Sequence, residues 1–117
     1  MYEVVFYERA NGEAPAQEFL GSLPIKLREK TLRSLMLLQE LGPQLRGEET
    51  EYIRDGLFEL RTKFGSDITR ILYFFFVGQK IVVTGGFVKK SQKTPQREIE
   101  RALRCKRNWE EAHREDA

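Results

Sequence analysis

The sequence predicts a single α+β domain in which helices pack on one face of a small, mainly antiparallel sheet. Short aromatic and β-branched segments end at glycine-containing turns, which is typical of strands. Between them, apolar residues recur at helical spacing. A chain of 117 residues with one cysteine suits one domain whose core forms without disulfides. The predicted order is β-α-α-β-β-β-α, with residues 1–117 as one domain.

The first strand is predicted over residues 2–7, because this segment is aromatic and β-branched and precedes an Asn11-Gly12 turn signal. Pro15 is suited to the first turn of a short helix, since proline lacks the N–H that a helix start leaves unused. Gly21 would end that helix.

A longer helix follows, with Ser22 as the predicted N-cap and Gly42-Pro43 as the stop. Its spacing predicts one buried face. That face comprises Leu27, Leu35, Leu38 and Leu41, widened by Leu32 and Met36.

After a polar connection over residues 44–51, the residue pattern predicts three strands. They cover residues 57–61, 68–77 and 80–88, with turns over residues 63–67 and at Gly78-Gln79. The middle strand is apolar on both faces, so it should be central, with helices on one side and an undetermined cover on the other.

The last helix is predicted to start at Thr94 as N-cap, with Pro95 in the first turn. A narrow apolar stripe follows, and a polar tail begins at about residue 110. The stripe consists of Ile99, Ala102, Leu103 and Lys106.

Charge is distributed unevenly along the chain. Residues 1–60 carry 7 Lys and Arg against 11 Asp and Glu, whereas residues 61–117 carry 13 against 7. Lys89, Lys90 and Lys93 crowd the corner between the last strand and the last helix, where helix-start N–H groups also favour anions. This pattern favours a polyanionic ligand, although solvated helix faces would give a similar charge distribution.

Three segments together resemble the phage-derived, HigB-like branch of the RelE/HigB toxins. They are GLFELR at residues 56–61, TRILY at residues 69–73 and GFVKKSQKTP at residues 86–95. The resemblance implies a RelE-like domain and a toxin of a type II toxin–antitoxin system. Its implied activity is metal-independent, ribosome-dependent cleavage of messenger RNA in the ribosomal A site, by attack of a ribose 2′-hydroxyl on the adjacent phosphate.

The resemblance also implies the site residues. Arg70 matches the strand arginine that contacts the scissile phosphate, Arg61 would be a second cation, and Lys89 and Lys90 match the basic segment that would include a base. Further RNA contacts are expected from Lys63 and Lys93 and from a helical ridge of Arg97, Arg101 and Arg104.

A mechanism with two histidines is excluded because His113 is the only histidine. No tyrosine lies beyond Tyr73, so the general acid is unassigned, and either His113 or a lysine could replace the family's C-terminal tyrosine or histidine.

The implied partners are a cognate antitoxin, messenger RNA and the ribosome, with operator DNA bound only through the antitoxin complex. No cofactor, metal or membrane is expected, and the absence of a signal peptide or long apolar segment favours the cytoplasm. Two other hypotheses remain open: a member of the same fold that binds RNA and its partner without cleaving, and a small basic DNA-binding regulator.

Overall fold

The structure is a computed structural model that describes residues 1–88 and 93–116. The strands and helices follow the order β-α-α-β-β-β-β-α, with 3₁₀ turns at Gly42–Gln44 and Arg114–Asp116. Their bounds are β1 (Glu3–Phe6), α1 (Pro15–Gly21), α2 (Ile25–Leu41), β2 (Thr50–Arg54), β3 (Leu57–Phe64), β4 (Asp67–Phe76), β5 (Lys80–Val88) and α3 (Gln96–Ala112).

The five strands form one mixed sheet in the order β1-β5-β4-β3-β2. β1 runs parallel to β5, and the other neighbouring strands are antiparallel. β4 lies at the centre, as its apolar character on both faces predicted.

Helices cover both faces of this sheet, so the prediction that they pack on one face is wrong. α1 and α2 pack on one face, and α3 packs on the other. The reason lies in β4, since the consecutive residues Tyr73 and Phe74 point to opposite faces and are both fully buried, so both faces need a cover. The narrow apolar stripe of α3 is sufficient to cover the second face of the sheet, because Leu57 and Leu72 pack directly against Ala102 and its neighbours.

The strand β2 was not predicted. Its first two residues fall in the predicted polar connection over residues 44–51, and the remaining three were not assigned to any element. Its side chains are mostly exposed, so no apolar alternation marks it. It forms because its backbone pairs with β3 through a two-residue turn in which Asp55 and Gly56 both have positive φ, at 52° and 81°. An Asp-Gly pair is a strong hairpin signal, so this turn could have been predicted from the sequence.

The β3–β4 turn is shorter than predicted, because Phe64 pairs with Asp67 and leaves only Gly65-Ser66 between the strands. Lys63 therefore lies in β3. The Gly78-Gln79 turn is confirmed, with φ of 81° and 57° at its two residues.

Both predicted serine and threonine N-caps are wrong. The Ser22 hydroxyl donates to the Phe19 carbonyl and closes α1 instead of opening α2. The Thr94 hydroxyl bonds to Glu59 in the sheet and makes no cap to α3. Each hydroxyl therefore donates to an acceptor outside the helix it was predicted to cap. For Ser22 the acceptor is a backbone carbonyl of the preceding helix, and for Thr94 it is a carboxylate on a distant strand.

The buried face of α2 is narrower than predicted. Leu27, Leu35 and Leu38 are buried, whereas Leu32, Met36 and Leu41 are exposed. α3 continues to Ala112, past the predicted start of the tail. Within residues 1–88 and 93–116, no helix combines the length and apolar character needed to cross a membrane.

Candidate functional site

Arg61 and Arg70 lie directly opposite each other in the β3–β4 pair. Side chains alternate between the faces of a strand, so Glu59 and Arg61 share a face with Leu57, and Arg70 shares it with Leu72. That face is the one that α3 covers. The sheet therefore brings two arginines and one glutamate together near the start of α3.

Arg70 and Glu59 form a buried ion pair. Nη1 of Arg70 donates to Oε1 of Glu59 at 2.8 Å, and the two side chains are 1% and 0% exposed. The Thr94 hydroxyl donates to the other carboxylate oxygen and accepts from Nη1 of Arg70 at 3.4 Å. The Glu59 carboxylate thus connects β3, β4 and the segment that leads into α3.

Arg61 is the more open of the two arginines, with 20% of its side chain exposed. Its Nη2 lies 3.4 Å from Oε1 of Glu51, and its Nε lies 3.8 Å from Oε1 of Glu59. That buried Nε has no hydrogen-bond partner among the described residues. Glu51 is half exposed, so water screens its attraction for Arg61.

A cleft opens where β2 stops pairing with β3. β2 pairs with β3 only as far as Thr50 opposite Leu60, whereas β3 continues to Phe64 beside β4. The cleft has a volume of about 750 Å³. It is bordered by this extension of β3, by α2, and by the segment that precedes β2. Its lining residues are Lys30, Arg33, Ser34, Leu37, Glu48, Glu49, Arg61, Thr62, Lys63, Ile68 and Arg70.

The lining of the cleft is predominantly cationic. Lys30 and Arg33 come from α2 on one face of the sheet, and Arg61 and Lys63 come from the opposite face of β3, so the cleft opens around the edge of β3 that β2 leaves unpaired. Glu48 and Glu49 are the acidic residues of the lining. The nearest carboxylate of Arg33 is Glu29 at 3.9 Å, in a pair that is exposed on both sides and therefore weak. The cleft is suited to an anion that several cations contact at once.

Sequence reasoning missed Lys30 and Arg33. Their spacing of three residues places them on one side of α2, but the same spacing is typical of an ordinary solvated helix face. Only the packing of α2 beside β3 shows that these two side chains share a cleft with Arg61.

Lys89 and Lys90 lie outside the described residues. The chain on either side of them is anchored at the ion pair, since Phe87 pairs with Arg70 in the sheet and Thr94 contacts Glu59. Lys93 is exposed and directly precedes Thr94. The described residues that flank this segment therefore lie beside Arg70 and Glu59.

The arginines of the predicted α3 ridge do not join the cleft. Arg97, Arg101 and Arg104 are exposed. Arg101 lines a groove between α1, β5 and α3, whereas Arg104 lines another groove beside the β2–β3 turn. Neither groove includes Arg61 or Arg70, so the ridge and the cleft are separate surfaces.

His113 lies at the other end of the sheet. Its ring stacks on Trp109 at a centroid distance of 3.8 Å and contacts Phe76 edge-on. Phe76 ends β4 six residues beyond Arg70, a separation of about 20 Å at strand rise. This distance makes His113 unsuitable as a proton donor at the Arg61–Arg70 site.

Two other titratable groups are also poorly placed for proton transfer. Burial raises the pKa of the Cys105 thiol, although Arg9, Arg104 and Arg101 partly oppose the shift. Burial likewise raises the pKa of the Tyr73 hydroxyl, which lies in the core against Phe58. Among residues 1–88 and 93–116, no group of three His, Cys, Asp or Glu side chains is arranged to hold a metal ion.

Comparison with known proteins gives a family. The family described as phage-derived protein Gp49-like (DUF891) matches residues 18–107, which include α2, all of β2–β5 and most of α3. No curated protein matches the chain significantly. Because the family match covers most of the sequence, the chain belongs to the phage-derived Gp49-like family, a RelE-like toxin family.

Proposed function

We propose that this protein is the toxin of a type II toxin–antitoxin system, of the HigB-like branch, and that it cleaves messenger RNA on the ribosome. Membership of a toxin-like family supports the class of protein. The observation that supports RNA as the ligand is the cleft whose lining includes Lys30, Arg33, Arg61 and Lys63. Evenly spaced phosphates of a single strand can contact several such cations at once.

The proposed reaction is transfer of the phosphate within the RNA. The ribose 2′-oxygen attacks the adjacent phosphorus, the bond to the 5′-oxygen breaks, and the products carry a 2′,3′-cyclic phosphate and a 5′-hydroxyl. A base removes the 2′-hydroxyl proton, and an acid supplies a proton to the departing 5′-oxygen. Cations stabilise the additional negative charge on the phosphate in the transition state.

Arg61 is the cation best placed for that stabilisation. It lines the cleft, it is partly exposed, and its guanidinium is always charged. Arg70 lies opposite Arg61 on β4 and forms a buried ion pair with Glu59. Because Glu59 also lies close to Arg61, this supports a role for Arg70 in holding Glu59, and through it Arg61, in place. Lys89 and Lys90 remain the proposed sources of the base and the acid, and Lys93 a proposed RNA contact. The described residues that flank this segment support this, since Phe87 pairs with Arg70 and Thr94 contacts Glu59.

One observation favours the alternative of an RNA-binding protein that does not cleave. Glu59 neutralises Arg70 in a buried ion pair, so the arginine that was expected to contact the phosphate is not displayed on the surface of the described residues. In either case we propose that a cognate antitoxin holds the protein inactive and that operator DNA is bound through the antitoxin complex.

The test is mapping of RNA ends on translating ribosomes after brief expression of the protein without its antitoxin. We expect new 5′-hydroxyl ends within messenger RNA, paired with 2′,3′-cyclic phosphates. Arg61→Ala should lower the rate of their formation by about 10²-fold, as expected for loss of one strong transition-state donor. Growth arrest without new RNA ends would instead support the binding protein.

A further inference from the structure

An exposed aromatic ring lies beside Lys30, one of the residues that line the cationic cleft. Phe64 is the last residue of β3, immediately before the Gly65-Ser66 turn, and 42% of it is exposed. The preceding residue, Lys63, lines the cleft from the opposite face of the strand, so the Phe64 ring lies on the face that α2 covers. An apolar ring in this position leaves a large hydrophobic surface in contact with water next to a polar cleft.

The ring and the cleft are directly connected through Lys30. Its Nζ lies 5.9 Å from the centroid of the Phe64 ring, and Lys30 is itself a lining residue of the cleft. Such an exposed cation–π contact is worth only about 0.5–1 kcal/mol, so it does not by itself explain why an exposed aromatic residue is used here.

Scattered exposed apolar residues are normal in proteins and need no explanation. Phe64 differs from such residues because it contacts Lys30, a lining residue of the cationic cleft. The described residues contain one other aromatic ring of comparable exposure, Tyr52, and that ring is engaged within the β2–β3 hairpin. It packs edge-on against Phe58 at 5.2 Å, and its hydroxyl accepts from the N–H of Gly56.

We propose that Phe64 and Lys30 form a nucleobase subsite for single-stranded RNA whose phosphates lie in the cleft. The base stacks on the exposed ring, and Arg33, which lies on the same helix as Lys30 and lines the cleft, contacts a flanking phosphate. An aromatic platform beside a row of cations is the general arrangement by which proteins hold single strands, because every base offers a π face and every linkage a charge. The inference rests on the proposed RNA ligand, but not on cleavage.

The test uses short oligoribonucleotides in which every ribose is 2′-O-methylated, so that no 2′-hydroxyl is available for attack. Each carries one 2-aminopurine, whose emission falls when it stacks on an aromatic ring. We expect the wild-type protein to bind and to quench the probe at one position of the strand. Phe64→Ala should abolish that quenching and weaken binding by about 5- to 100-fold, the range expected for one lost base stack.

Phe64→Tyr keeps the ring and should retain both quenching and affinity, which separates stacking from general damage to the hairpin. Tyr52→Ala is the matched control, since it removes a similarly exposed ring away from the cleft and should leave binding unchanged. Thermal unfolding of each variant confirms that it is folded.

The outcomes separate this inference from the proposed function. Binding by the wild-type protein that Phe64→Ala leaves unchanged would overturn the subsite, and so would failure of the wild-type protein to bind any of the probes. Quenching that depends on Phe64, in a protein that makes no RNA ends on ribosomes, would confirm the subsite and reject the nuclease.

Discussion

Glu59 is the residue around which the candidate site is organised. Its buried carboxylate lies within 2.8 Å of Arg70 and 3.8 Å of Arg61, and it accepts from Thr94. A carboxylate without exposure is tolerated only where opposite charges and hydrogen bonds compensate for lost hydration. Glu59 therefore restrains both arginines, and it neutralises the charge of Arg70.

This arrangement predicts that Arg70→Ala will destabilise the fold. The substitution leaves Glu59 buried without its closest cation, and breaking such a pair typically costs about 3–5 kcal/mol. The measurement is the free energy of unfolding in urea, with Arg97→Ala as the control, since Arg97 is an exposed arginine of α3.

A double variant, Arg70→Met with Glu59→Gln, should recover part of the loss, because neither charge is then left uncompensated. A free energy of unfolding for Arg70→Ala within about 0.5 kcal/mol of wild type, the scale of ordinary surface substitutions, would contradict the interpretation of a structural ion pair.

At the scale of elements, the close approach of α1 to β5 depends on a glycine. A Cβ at Gly86 would lie 2.6 Å from Cδ2 of Phe19 and 2.9 Å from Cδ1 of Ile71. The neighbouring Gly85 has more space, since the nearest atom to its Cβ would be Cβ of Pro15 at 3.9 Å. Adjacent glycines in one strand therefore meet very different surroundings.

We expect Gly86→Ala to destabilise the protein by about 1–3 kcal/mol, because the added methyl overlaps with the Phe19 ring in a packed interface. Gly85→Ala is the matched control and should change the free energy of unfolding by much less. Denaturant titrations of both variants provide the comparison. Equal effects would show that backbone flexibility, and not the Phe19 contact, explains the use of glycine in this strand.

At the scale of the whole molecule, two positively charged surfaces of the described residues are separate from each other. One is the cleft between α2 and β3, which includes Arg33 and Lys63. The other is the exposed side of α3, with Arg97 and Arg101. Charge along the sequence predicts a basic C-terminal half, but the cleft also takes two cations from the acidic N-terminal half.

Salt dependence should distinguish the two surfaces. If single-stranded RNA binds in the cleft, Lys63→Gln should weaken binding and reduce the slope of log affinity against log salt by about 0.7, for one lost phosphate contact. Arg33→Gln should do the same, although no sequence motif marks it. Arg101→Gln should have this effect only if α3 also contacts the strand.

Oligoribonucleotide binding at several salt concentrations, with protein folding checked for each variant, is the measurement. A slope that changes for Arg101→Gln but not for Lys63→Gln or Arg33→Gln would place the RNA on α3 and exclude the cleft.

Much of the fold could be predicted because local signals were strong. The strand cores, the glycine and proline stops of α1 and α2 and the central place of β4 follow from residue pattern and turn chemistry, which act over a few residues. β2 was missed because an exposed edge strand depends on backbone pairing with its neighbour rather than on its own side chains.

The sequence by itself determined the α+β class, the Gly78-Gln79 hairpin and the presence of Arg61 and Arg70 on neighbouring strands, because each depends on short-range pattern. Tertiary structure decided which cations share a cleft and which are neutralised. Lys30 lines the same cleft as Arg61 only because α2 packs on the sheet, and Arg70 lies buried against Glu59 and Thr94. Charge and spacing along a chain carry no information on desolvation or on contacts between distant segments, and these set the role of each arginine.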